Sequence, residues 1–192
     1  MQPGPDDLLV RFQAGDLAAF DQLVSEMGPR LKGYFLRQGA QNATAEDLTQ
    51  LVFVRVFQAR QRYKPSGRLD AYLLRIAHNL WIDSRRRKRF LTGGDDLPDA
   101  VDLAPGPEDE AVAGDRASVL HAGLARLPAE TRELLELAVL QRLPYQEVSE
   151  ILDIPVGTVK SRVYYSLRKL REHLSVLEPE ADQDGPSTGR LS

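Results

Sequence analysis

The 192-residue chain has no cysteine, which excludes disulfides, thiolate metal centres and a cysteine nucleophile. Its three histidines are scattered, so no zinc site is expected. No apolar run approaches the roughly 18 residues of a membrane span. The N-terminus, "MQPGPDDLLVRF", lacks the basic stretch and following apolar stretch of an export signal. No segment alternates apolar and polar residues as a half-buried strand would. Together these absences predict a cytoplasmic, soluble, all-α protein with no membrane insertion and no metal or cofactor. The length allows one moderate domain or two small ones.

What is present is charge, strongly patterned. The net charge is only −3, yet Arg55 to Leu91 holds eleven basic residues against Asp70 and Asp83, a local +9. From Asp95 to Asp115 there are eight acidic residues and no basic one. "GTVKSRVYYSLRKLR", 157–171, is again basic, with Lys160, Arg162, Arg168, Lys169 and Arg171 and no acid. Local clustering of this kind, rather than the overall pI, is what a polyanion senses.

Apolar periodicity divides the chain into helices. Two segments, around Leu8 to Phe12 and Leu17 to Leu36, are punctuated by Gly15 and by Gly28-Pro29. "TAEDL" predicts a helix start capped by Thr44, and the helix should run to about Gln61 with Leu48, Leu51, Val52, Val56 and Phe57 toward a core. "KPSG", 64–67, is a loop, after which Leu69, Tyr72, Leu73, Ile76, Ala77 and Leu80 recur at helical spacing into "SRRRKR". The Gly-, Pro- and acid-rich stretch that follows reads as a linker, and the last residues have the composition of a disordered tail. The expected organisation is two small helical domains, 1–91 and 116–174, joined by a flexible acidic linker, 92–115, and followed by a tail, 175–192.

The second domain contains a short helix, 144–152, the break "DIPVG", and a longer basic helix, 156–173: a helix-turn-helix pattern. On a helical wheel Val159, Val163, Leu167, Leu170 and Leu174 form one stripe. The other side presents Thr158, Ser161, Tyr165 and Arg168, flanked by Lys160, Tyr164 and Arg162. Small polar residues near the helix start, with cations beyond, suit base edges and phosphates of duplex DNA. In the first domain Tyr63, Tyr72 and Trp81 lie among cations, a combination that single-stranded nucleic acid requires, although for either residue taken alone the favoured reading is Tyr72 in the core and Trp81 packed between helices.

"DLTQLVFVRVF" followed by "AYLLRIAHNLWIDSRRR", and later "LP…YQEVSEILDIPVGTVKSR", resemble regions 2 and 4 of sigma-70 family sigma factors, specifically the compact extracytoplasmic-function (ECF) group. The resemblance covers about 40–90 and 125–172, in order. It implies a subunit that binds bacterial core RNA polymerase and recognises the −10 and −35 elements of promoter DNA. Carried over by position, Asp47, Gln50, Phe53 and Arg55 lie on the polymerase-docking helix. Arg62, Tyr63, Lys64, Arg68, Asn79, Arg85 and Arg86 fall where the family holds the −10 region, through the loop Gln61–Arg68 and the basic helix. Thr158, Lys160, Ser161, Tyr164, Tyr165 and Arg168 fall where it reads the −35 duplex. Tyr72 stands where the family usually has Trp, Arg142 and Pro144 replace smaller residues, and Tyr165 replaces a frequent basic residue, implying an unusual −35 sequence. Many relatives are held inactive by an anti-sigma factor, though no residue here identifies one.

Two other classes compete. A stand-alone helix-turn-helix regulator would use its first half for dimerisation, which the +9 segment opposes because interface cores are depleted of charge. A nuclease or ligase would need a carboxylate cluster on a common face of the basic module, a P-loop or a cysteine nucleophile, and the sequence has none of these. No enzymatic activity is expected.

Overall fold

Asp7 opens the first helix: its carboxylate accepts from the backbone N–H groups of Leu9 and Val10, satisfying donors that a helix start leaves free. The computed structural model describes residues 7–65, 68–91, 123, 124 and 126–177, and within them every regular element is helical. Four helices form a first group: α1 (Leu8–Gln13), α2 (Leu17–Arg37), α3 (Asn42–Ala59) with a 3-10 turn at Arg60–Arg62, and α4 (Leu69–Leu91). Three form a second: α5 (Ala129–Leu135), running on as a π-helical stretch over Glu136–Leu140, α6 (Tyr145–Leu152) and α7 (Val156–Leu177). The expected linker, 92–115, and most of the expected tail lie outside the described residues.

Local chemistry explains most boundaries. Gly15, at φ +100°, turns the chain between α1 and the Asp16 cap of α2. Gly39, at φ +96°, ends α2, with the N–H of Ala40 bonded back to the carbonyl of Phe35. Two expectations need correcting. Gly28-Pro29 does not punctuate: α2 runs through it, because Leu23, Met27, Leu31, Tyr34 and Phe35 form one buried stripe on both sides and Pro29 lies on the solvent face. Burial of that stripe outweighs the roughly 3 kcal/mol that an interior proline costs. Thr44 is not a cap, since α3 begins two residues earlier and Ala45 N–H already bonds to the carbonyl of Gln41.

The two groups are packed together. Leu134, Leu137, Leu143, Val148, Ile151, Val159 and Val163 of the second join one apolar core with Leu31, Phe35, Leu73, Leu74 and Ala77 of the first. Their seam is polar at its edges. Glu133 accepts from the Tyr34 hydroxyl and lies 2.6 Å from His78 Nδ1. Arg37 binds both oxygens of Glu136 at 2.7 and 2.8 Å, and Gln141 links Glu136 to Arg30. Gly33 leaves the space the Arg37 guanidinium occupies, since a Cβ there would stand 2.9 Å from it. Arg75 pairs with Glu150 at 2.6 Å. Arg132, 1% exposed, donates to the carbonyls of Leu124 and Leu127, stapling the approach to α5.

Candidate nucleic-acid interface

The first basic face is built by the exit of α3 and by α4. The 3-10 turn at Arg60–Arg62 leads into extended Tyr63 (φ −62°, ψ 128°), which sends the chain outward. Arg62, Lys64 and Arg68 are exposed there, as are Asn79 and Arg86 along α4, with Arg85 half-buried. Arg68 is held by a two-pronged bond to Asp70, at 2.7 and 3.0 Å. Burial would raise the Asp70 carboxyl, but the bonds from Arg68 and the nearby Arg30 outweigh it and leave it below the usual carboxylate range. Residues 66 and 67 of the expected loop lie outside the described residues.

Of the three aromatic residues placed among the cations, Tyr63 and Trp81 are buried and Tyr72 is half-buried. Tyr63 is 8% exposed, packs 4.8 Å from the Tyr72 ring and donates its hydroxyl to Asp7. Trp81 is buried in the α4 core stripe. The expectation that Tyr63 offers a ring to nucleic acid is therefore corrected: an apolar ring among cations gains more by packing than by exposure. Exposed apolar surface occurs instead at Phe90 and Leu91, beyond the basic run.

On α3, Asp47, Gln50 and Arg55 are exposed, but Phe53 is 8% exposed with its ring edge-on to Phe20. Phe53 is thus core rather than docking surface, and Leu51 and Phe57, expected in the core, are partly exposed. The helix is rotated from the expected phase, so that Ala45, Leu48, Val52, Phe53 and Val56 face inward. Leu51 and Val54 consequently flank Gln50 on the open face, two apolar residues that the sequence reading did not assign to it. Their i, i+3, i+4, i+7 spacing with Asp47 was the available signal.

The second basic face lies on α7. Asp153, in the left-handed region at φ 53°, ends α6, and Ser149 Oγ donates to the carbonyl of Ile154 at 2.6 Å, fixing the turn into α7. Lys160, Ser161, Tyr164, Tyr165 and Arg168 are exposed and Thr158 is half-buried. Tyr164 and Tyr165 meet edge to face at 5.4 Å. The buried stripe is Val159, Val163, Ser166 and Leu170; Leu167 is 38% exposed, so Ser166 takes the place expected for it. Among the described residues no group of three His, Cys, Asp or Glu could hold a metal ion. Nor, among the described residues, is any helix long and apolar enough to cross a membrane.

Comparison with known proteins meets this geometry. The family model for sigma-70 region 2 matches residues 23–90, and that for sigma-70 region 4 matches residues 118–170. The ECF RNA polymerase sigma factor SigE of Mycolicibacterium smegmatis is 35% identical over 177 residues, covering 88% of this chain and 68% of that protein. The ECF RNA polymerase sigma factor RpoE of Cereibacter sphaeroides is 32% identical, covering 83% and 88%. Among solved structures, the sigma factor RpoE of Bartonella quintana, in complex with the anti-sigma factor NepR, superposes with a TM-score of 0.67 at 22% identity, over 82% of this chain and 97% of that one. That last likeness speaks to the fold.

Proposed function

This chain belongs to the ECF group of the sigma-70 family of RNA polymerase sigma factors, and from that membership we propose how its exposed faces divide the work. As a sigma factor it directs promoter-specific transcription initiation, with core RNA polymerase and promoter DNA as its partners. The open face of α3, with Asp47, Gln50 and Arg55 around apolar Leu51 and Val54, docks on core polymerase. Charge at the rim and apolar surface at the centre is the usual composition of a protein interface.

Arg62, Lys64 and Arg68, with Asn79, Arg85 and Arg86 along α4, hold the −10 element. Cations on a turn and helix track a sugar-phosphate backbone without reading duplex base edges. On α7, Lys160 and Arg168 neutralise phosphates of the −35 duplex, while Thr158, Ser161, Tyr164 and Tyr165 face the bases. Tyrosine cannot present a guanidinium's paired donors to guanine, so Tyr165 favours contact with a thymine methyl or a single acceptor. The observation that carries this reading is that a helix-turn-helix with an exposed polar-aromatic face accompanies a second, separate basic face. A stand-alone regulator has no use for the latter.

Gel filtration with core polymerase, with and without −35/−10 promoter DNA, tests it. Co-elution with core, and promoter capture only by the pair, is the expected result. Tight duplex binding by the chain alone, without core binding, would replace the reading with that of an independent regulator.

A further inference from the structure

Helix α1 has only six residues, too few to hold itself together in water. Its apolar side, Leu8, Leu9 and Phe12, is buried, with the Phe12 ring stacked 4.7 Å from Phe20. Its polar residues do something else: both ends of the helix are tied to the basic turn that leaves α3. At the C-terminal end, the Gln13 amide nitrogen donates to the carbonyl of Arg60 and, at 3.0 Å, to that of Tyr63. At the N-terminal end, one oxygen of Asp7 caps the helix, and the other accepts from the Tyr63 hydroxyl at 2.8 Å. The Arg60 guanidinium completes the join, 4.4 Å from the Phe57 ring centre and 5.8 Å from that of Phe12.

The turn needs such external ties. Its closing backbone bond, Tyr63 N–H to the Arg60 carbonyl, is 3.2 Å long, and 3-10 geometry makes poor bonds. One side-chain amide bridging the first and last carbonyls of Arg60–Tyr63 fixes the direction in which the chain leaves. Tyr63 is anchored at its hydroxyl by Asp7 and at its ring by Tyr72. The exposed neighbours on either side of Tyr63 are Arg62 and Lys64. With Tyr63 pinned inward from both ends, these two cations stand on a preset backbone rather than a wandering one.

We propose that Asp7 and Gln13 are positioning residues for strand capture: α1 presets the Arg60–Pro65 turn so that Arg62 and Lys64 meet the single-stranded −10 region without an ordering cost. This rests on the reading of that turn as part of the −10 grip. α1 itself touches no nucleic acid, and its effect on binding passes through the turn. Preorganisation of this kind raises affinity by removing the entropy lost on binding, without changing the number of phosphates neutralised.

The test uses holoenzyme reconstituted from the full chain and core polymerase, titrated with a single-stranded non-template −10 oligonucleotide over a range of salt. Gln13→Ala is expected to weaken binding by about three- to tenfold, the loss of one or two ordering bonds, with the slope of log K against log salt unchanged. Tyr63→Phe, which keeps the ring in the core and removes only the bond to Asp7, is expected to act in the same direction. Core affinity and binding of an isolated −35 duplex are expected not to move, which separates positioning from general loss of structure. Lys64→Ala is the comparison: it is expected to lower the slope by about 0.7, as one lost single-strand phosphate contact. If Lys64→Ala lowers the slope while Gln13→Ala and Tyr63→Phe leave affinity intact, the positioning inference is overturned and the grip stands. If Gln13→Ala lowers the slope too, a direct contact replaces positioning. If Lys64→Ala changes neither slope nor affinity, the turn is not part of the grip and both readings fall.

Discussion

Glu133 is where the packing of the two helical groups is most exposed to perturbation. The residue is 7% exposed, and one oxygen of its carboxylate serves both the Tyr34 hydroxyl, itself fully buried, and His78 Nδ1. Glu133→Ala leaves that hydroxyl and that ring nitrogen without their partner inside the seam. A buried polar group deprived of its bond costs about 1–3 kcal/mol, and bonds to a charged group are the stronger kind. Two such groups, partly relieved by water entering the space, put the expected loss at about 2–4 kcal/mol. Tyr34→Phe removes one donor and leaves Glu133 with His78, so its expected loss is about 1 kcal/mol. The double variant is expected to lose about 1 kcal/mol less than the two single losses together, since the shared bond can be removed only once. Urea denaturation of the free chain reads all three. Small-angle scattering reads whether the groups separate, and Glu133→Ala is expected to enlarge the radius of gyration at urea concentrations where the parent is unchanged. A Glu133→Ala midpoint equal to that of the parent would refute the reasoning, because it would mean the buried bonds contribute nothing to holding the seam.

Three further outcomes follow from the same geometry. Lys160→Ala is expected to weaken holoenzyme binding to a −35 duplex and to lower the salt slope by about 0.9, measured by fluorescence anisotropy; an unchanged slope would remove Lys160 from the phosphate contacts. The hydrogen bond from Arg75 holds the Glu150 carboxyl below its usual value of 4.5, so this pair stabilises the seam above that pH and the contribution is lost as pH falls through the lowered value. Urea midpoints measured from pH 6 downward should therefore drop less steeply for Glu150→Gln than for the parent. Burial and the bond to Asp7 push the Tyr63 hydroxyl far above its usual 10, so the folded state keeps it neutral while the unfolded chain ionises. Stability is then fully present below pH 10 and declines above it, and Tyr63→Phe is expected to soften that alkaline decline in the same assay.

How much of this was legible in the sequence depended on the kind of information each feature carries. The helix-turn-helix was readable because its parts are local: a short amphipathic helix, a turn and a basic helix need no knowledge of what covers them. Phase was less secure, because periodicity marks a stripe but does not choose between its edges. On α3 that choice moved Phe53 inside and left Leu51 and Phe57 partly outside, and on α7 it buried Ser166 in place of Leu167. A serine can take such a position because its hydroxyl can bond to the helix's own carbonyls. Partners were the least legible. Glu133 and Glu136 sit in "ETRELLELAVL" as acids that any solvent-facing rule would place outside, yet both are buried, because Tyr34 and Arg37, 99 residues earlier, and His78, 55 residues before Glu133, approach from the first helical group. Such a pair is invisible until the chain is folded, since either half alone reads as a charged surface. The same holds for Asp7 and Tyr63, whose bond spans 56 residues. Tyr63 read as a ring for stacking because composition put it among arginines, and only Asp7, Gln13 and Tyr72 together show that it is the anchor of the turn and that Arg62 and Lys64 are what the turn presents. The residues that bind can thus be read from local charge, whereas the residues that hold them in place are found only through long-range contacts.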